Sequence, residues 1–100
     1  MNRPKTKKGY QELIEQAIFE AQDLRTTDEW ELEEGNIDFH FVDPLISQLK
    51  QLLEKVSNDR QAFGEEDLPW LLIVRRHATK IPFKDLLHTI HQTYRLGLDS

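Results

Sequence analysis

The sequence predicts an α+β fold in which a small mixed three-stranded sheet packs with about three helices, in the order α-β-β-α-β-α. Three patterns support it. Apolar and polar residues alternate over 29–33 and 37–42, which is typical of a β-hairpin turning at Glu34-Gly35-Asn36. A continuous apolar run at 70–74 provides the third strand. Three further segments have apolar residues at helical spacing, which predicts the three helices.

The first helix is predicted from Lys8 to Arg25. Its apolar residues recur at i, i+3, i+4 and i+7 and form one stripe that faces the core. They are Tyr10, Leu13, Ile14, Ala17, Ile18, Ala21 and Leu24. Phe19 lies nearly opposite this stripe, so we expect its ring to be exposed to solvent and available to a partner.

The predicted hairpin has one apolar and one acidic face, because successive side chains of a strand point to opposite sides. The inward residues are Trp30, Leu32, Ile37, Phe39 and Phe41. The outward residues are Glu29, Glu31, Glu33, Asp38 and His40. Seven carboxylates and no Lys or Arg occur from Asp28 to Asp43. This segment should repel phosphate backbones and attract a basic surface.

A second helix is predicted to begin at Asp43-Pro44, because aspartate caps free amides and proline at the first helical position loses no hydrogen bond. It should end near Ser57-Asn58, before a polar loop at 59–67. Its apolar face consists of Leu45, Ile46, Leu49, Leu52, Leu53 and Val56. A right-handed crossover through this helix would place the second and third strands parallel.

The C-terminal part of the chain is predicted to contain the third strand and the third helix. Trp70 to Val74 reads as a buried strand, since a helix there would need burial on every side. Trp70 should therefore be largely buried. Ile81-Pro82 opens the last helix and Gly97 ends it. The apolar face of that helix consists of Phe83, Leu86, Leu87, Ile90 and Tyr94.

Length and composition predict one small cytoplasmic domain. Residues 1–8 read as a flexible basic tail and residues 9–100 as a single compact domain of 38% hydrophobic and 31% charged residues. The absence of cysteine excludes disulfides and thiolate metal sites. No export signal or membrane-spanning run is recognised. A sheet with open edges favours covering by a helix or by a second copy, which would give a homodimer.

The sequence favours a non-catalytic binding or regulatory protein over an enzyme. The predicted partner-binding residues are Glu29, Glu31, Glu33, Asp38 and Phe19, which would dock on a basic protein surface. The alternative is a metal-binding protein or metal-dependent enzyme that uses hairpin carboxylates with His88 and His91, three positions apart on the last helix. Arg75 and Arg76 are candidate anion ligands or neutralise the hairpin acids. No cofactor motif is recognised, and nucleic-acid binding is a weaker alternative.

Overall fold

The computed structural model describes residues 3–30, 41–58, 63–64 and 68–98, and of residues 27–30 only the backbone is described. Regular structure in these ranges is helical. The α-helices are α1 (Lys7–Trp30), α2 (Val42–Ser57), α3 (Leu71–Arg76) and α4 (Lys84–Leu96), and a 3-10 helix spans Ala78–Lys80. No strand occurs within the described ranges. The prediction of an α+β fold with a three-stranded sheet is therefore wrong.

The first predicted strand begins inside a helix. α1 continues past its predicted end at Arg25 and includes Glu29 and Trp30. Arg25 Nε lies 3.1 Å from an Asp43 carboxylate oxygen, which ties this end of α1 to the start of α2. A helix that has already formed adds residues at low cost, and five alternating residues do not prevent it. The rest of the predicted hairpin, residues 31–40, lies outside the described residues.

The third predicted strand is also a helix. Trp70 is the residue before α3, and Trp70, Leu71 and Val74 are buried, whereas Leu72 is 57% exposed. A helix over this run does not need burial on every side, because it turns Leu72 towards solvent. The burial of Trp70 is confirmed, but its element is not. Because the third strand is not formed, the predicted crossover and the predicted open sheet edges are wrong too. The argument for a homodimer that depended on those edges no longer applies.

α2 confirms the second predicted helix and its end at Ser57. Its buried side chains include Leu45, Leu49, Leu52 and Val56, which belong to the predicted face. The predicted cap is wrong, because the residue that precedes α2 is Phe41 and it makes no side-chain cap hydrogen bond. The carboxylate that was expected to cap the helix is instead paired with α1.

α4 confirms the last predicted helix, with a start that is later than the predicted Ile81-Pro82. Its predicted apolar face is buried throughout. Gly97 ends the helix with φ of 87°, a left-handed conformation that favours glycine. The Gly64 amide donates to the Tyr94 carbonyl at 2.9 Å and satisfies one of the free carbonyls in the last turn.

Helices α1 and α2 lie antiparallel. Gln11 Nε2 donates to Ser57 Oγ at 3.2 Å at one end of the pair, and the Arg25–Asp43 ion pair closes the other. Between them runs a core to which every α-helix and the segment before α4 contribute. Its residues include Tyr10, Ile14, Ala17, Ala21, Leu45, Leu49, Leu52, Val56, Trp70, Val74, Ile81, Leu87, Ile90 and Tyr94.

α4 runs antiparallel to α1 as well. Arg3 Nη1 donates to the Gly97 carbonyl at 3.0 Å, so the C-terminus of α4 lies beside the start of α1. Before α4, the ring of His77 stacks on Phe41 with 4.0 Å between centroids, at the other end of α1. The described structure is elongated, at 47 × 21 × 21 Å. One end contains the start of α1 and the end of α4, and the other contains the end of α1, the start of α2 and the segment before α4.

Candidate functional site

The acidic connection, residues 28–43, joins α1 to α2 at one end of the molecule. The last turn of α1 contains no basic residue, and the sequence places Asp28 and Glu29 there. Negative charge at a helix C-terminus opposes the helix dipole. Asp43, at the other end of the connection, lies in the first turn of α2, where negative charge is favourable. Two of the acids therefore occupy positions that lower helix stability.

The predicted acidic site falls only partly within the described structure. Glu29 is helical, so its predicted place on a strand opposite Asp38 is wrong. Glu31, Glu33 and Asp38 lie outside the described residues. Their role in partner binding stays a prediction.

Phe19 lies on an exposed face of α1 that also carries acids. Its side chain is 63% exposed, as the sequence predicts. Glu12, Glu15 and Asp23 are also exposed at helical spacing around it, and we call these four residues the acidic face of α1. Among the exposed positions from Lys8 to Thr26 of this helix, Lys8 is the only basic residue. The acidity of the connection thus extends along α1.

Arg75 and Arg76 are exposed at the end of α3. Neither forms an ion pair with a described residue. Positive side chains in a last helical turn interact favourably with the helix dipole, so both have a structural role at this position. Their capacity to bind an anion stays a prediction.

His88 and His91 belong to a basic face of α4 that the sequence analysis missed. This face consists of Lys84, His88, His91 and Arg95, at i, i+4, i+7 and i+11. His91 is half-buried beside Trp70, edge to face with 6.4 Å between ring centroids, and the other three side chains are exposed. The spacing is visible in the sequence, but only the two histidines were singled out because they resemble metal ligands.

A complete metal site is not assembled by the described part of the chain. Within it, no three His, Cys, Asp or Glu side chains come close enough to hold one ion. His88 and His91 share a helix face, but the hairpin carboxylates proposed as their co-ligands are helical at Glu29 or outside the described ranges. The structure does not bring the predicted metal ligands together.

Two buried tyrosines lie at the other end of the molecule. Burial raises the pKa of the Tyr10 hydroxyl well above its usual value, and the neighbouring Tyr94 adds to the rise. The ring of Tyr10 stacks on Phe63 with 5.5 Å between centroids. A phenol whose ionisation is suppressed in this way packs the core and is a poor base near neutral pH.

Comparison of the chain with protein-family models, curated proteins and solved structures gave no match. Among the described residues, no helix combines the length and the apolar character that crossing a membrane requires. The described structure defines a small helical protein with an acidic face on α1 and a basic face on α4.

Proposed function

We propose that this chain is a non-catalytic binding or regulatory protein of the cytoplasm that docks on the basic surface of another macromolecule. The contact is made by the acidic connection and by the acidic face of α1. The observation that carries the proposal is the run of seven carboxylates without Lys or Arg from Asp28 to Asp43. Charge concentrated in this way steers a basic partner towards the site and speeds its association.

The helix positions of the acids support a role outside folding. Asp28 and Glu29 occupy the end of α1, where their charge opposes the helix dipole. Asp43, at the other end of the connection, has a structural role in its pair with Arg25. A basic partner that neutralises acids at a helix C-terminus removes their unfavourable interaction with the helix dipole.

The aromatic residue on α1 supports a protein partner. Phe19 is exposed among Glu15 and Asp23, on a helix whose opposite side is fixed by the core. An apolar ring surrounded by charged residues is typical of an interface, in which the ring becomes buried and the charges set specificity. Because α1 is held against α2 at both ends, this surface is already ordered in the free protein, and binding needs little further ordering of the backbone.

Comparative capture tests the proposal. Three tagged chains are compared: the wild type, the double variant Glu31→Lys/Glu33→Lys and the control Glu54→Lys/Asp85→Lys. The two double variants change the net charge by the same amount. Glu54 is exposed on α2 and Asp85 on α4, and neither belongs to the connection or to the acidic face of α1. We expect wild type and control to retain the same partner at low salt and the connection variant to lose it. Equal retention by all three chains, each folded by circular dichroism, would refute the proposal.

A further inference from the structure

The basic face of α4 is a second charged surface, and nothing in the proposed function uses it. Lys84, His88 and Arg95 are exposed, and His91 is half-buried between them. Asp85 is the only acidic residue among the described positions of this helix. Lys84 and Arg95 place positive charge at the two ends of this face, with the two imidazoles between them. An acidic surface of similar length would be complementary to it.

The acidic face of α1 has matching dimensions. Glu12 and Asp23 are eleven positions apart, and so are Lys84 and Arg95. At the rise of an α-helix, each face is about 16 Å long. When two such helices lie side by side in either direction, an acid at each end of one face meets a base at each end of the other. The interior positions then place Phe19 and Glu15 against the two imidazoles.

We propose that the basic face of α4 binds the acidic face of α1 in a second copy of this chain. Charge complementarity over equal lengths selects this occupant. Imidazoles donate hydrogen bonds to carboxylates and stack on aromatic rings, so the interior of the contact is complementary too. The proposal rests on the proposed function in one respect, since it makes a second copy one of the partners of the acidic surface.

The two faces cannot meet within one copy. The acidic face lies opposite the side of α1 that buries Ile14 and Ala21, and the basic face lies opposite the side of α4 that buries Leu86 and Thr93. Both helices pack on the same core, so the exposed residues of both faces point away from it, and His91 lies at the edge of the basic face beside Trp70. Only a contact between molecules brings them together, and a contact between different faces on each copy is heterologous.

Charge-swap variants test this contact. The α4 variant is Lys84→Glu/Arg95→Glu, the α1 variant is Glu12→Lys/Glu15→Lys, and the control for the first is Lys50→Glu/Lys55→Glu on exposed positions of α2. Sedimentation velocity at low ionic strength measures self-association. We expect reversible association of wild type and control, and an association constant at least about tenfold weaker for each swapped chain, which corresponds to about 1.4 kcal/mol.

Mixing the two swapped chains gives the decisive result. The native α1 face of one variant and the native α4 face of the other should form a mixed complex that neither variant forms alone, and added salt should dissociate it. A monomeric wild type, a mixture without complex, or equal weakening by the control would overturn the proposal. So would a monomeric wild type that binds polyuridylate through Lys84 and Arg95.

The failure of this proposal is distinguishable from that of the proposed function. Reversal at Lys84 and Arg95 should leave capture of a basic partner unchanged, because the acidic surface is intact. Loss of self-association without loss of capture therefore supports the second-copy contact. Retained capture by a chain that never self-associates refutes only this contact.

Discussion

Replacement of Trp70 by alanine should remove a large part of the stability of this protein. The side chain is 1% exposed and lies in the core beside His91. A buried indole removes about 150 to 250 Å² from water. At about 25 cal/mol per Å², that burial contributes roughly 4 to 6 kcal/mol. No described residue accepts a hydrogen bond from Trp70 Nε1, and an unsatisfied buried donor costs about 1 to 3 kcal/mol.

Burial of the indole stabilises the fold and its unsatisfied N–H destabilises it, so two substitutions at Trp70 should lower the free energy of unfolding by different amounts. Trp70→Ala should cost about 3 to 4 kcal/mol, against a total of about 5 to 15 kcal/mol for a domain. Trp70→Phe keeps an aromatic ring and removes the unsatisfied donor, so it should cost about 1 kcal/mol. Urea unfolding followed by far-ultraviolet circular dichroism measures both values.

The neighbouring Leu72 is the control. Because α3 turns this side chain outward, Leu72→Ala should cost about 0.5 kcal/mol or less. A cost for Trp70→Ala below that of Leu72→Ala would refute the placement of Trp70 in the core. Equal costs for the alanine and phenylalanine variants would contradict the expectation that an aromatic ring restores most of the lost packing.

Three further predictions concern the end of the molecule at the start of α1. A Cβ at Gly64 would lie 2.5 Å from Tyr94 Oη, so Gly64→Ala should cost about 1 to 3 kcal/mol in urea unfolding, and less in a Tyr94→Phe background. Thr6 Oγ1 accepts a hydrogen bond from the Gly9 amide at 3.0 Å and caps α1, so Thr6→Ala should cost about 1 kcal/mol in thermal unfolding. Retention of stability by alanine but not by serine at this position would contradict the cap. Burial raises the pKa of Tyr10, so above about pH 10 the unfolded chain releases a proton that the folded chain keeps, and stability falls as pH rises. Unfolding at successive pH values should show a shallower fall for Tyr10→Phe, and an identical slope would contradict the assignment.

The helices that pack through one apolar stripe could be predicted from the sequence. The stripes of α1, α2 and α4 each recur at helical spacing, and their members are buried or partly buried against the core. Gly97 marked the end of α4 because few other residues adopt its backbone conformation. In these elements local spacing and tertiary packing favour the same structure.

The predicted strands failed where the local pattern was short and ambiguous. Five apolar residues from Trp70 fit a buried strand or a short helix, and the choice depends on which neighbours are present. The spacing of Trp70, Leu71 and Val74 allows one inward helix side, with Leu72 left exposed. At Glu29 and Trp30, the alternation of apolar and polar residues did not show that α1 continues through these positions.

The charged surfaces were only partly predictable. The exposure of Phe19 followed from its place opposite the apolar stripe of α1. The basic face of α4 was missed because His88 and His91 were considered only as alternative metal ligands, and Lys84 and Arg95 were not considered with them. The four residues form one face only when the helix and its buried side are considered together.

The most direct test of the proposed function is the amount of partner retained per mole of chain, measured for wild type, Glu31→Lys/Glu33→Lys and Glu54→Lys/Asp85→Lys in one lysate at rising salt. We expect one stoichiometric protein with a basic surface on wild type and control, released as salt screens the contact, and none on the connection variant. Equal retention by the connection variant and the control, or a partner that resists high salt on all three chains, would contradict docking through the acidic connection.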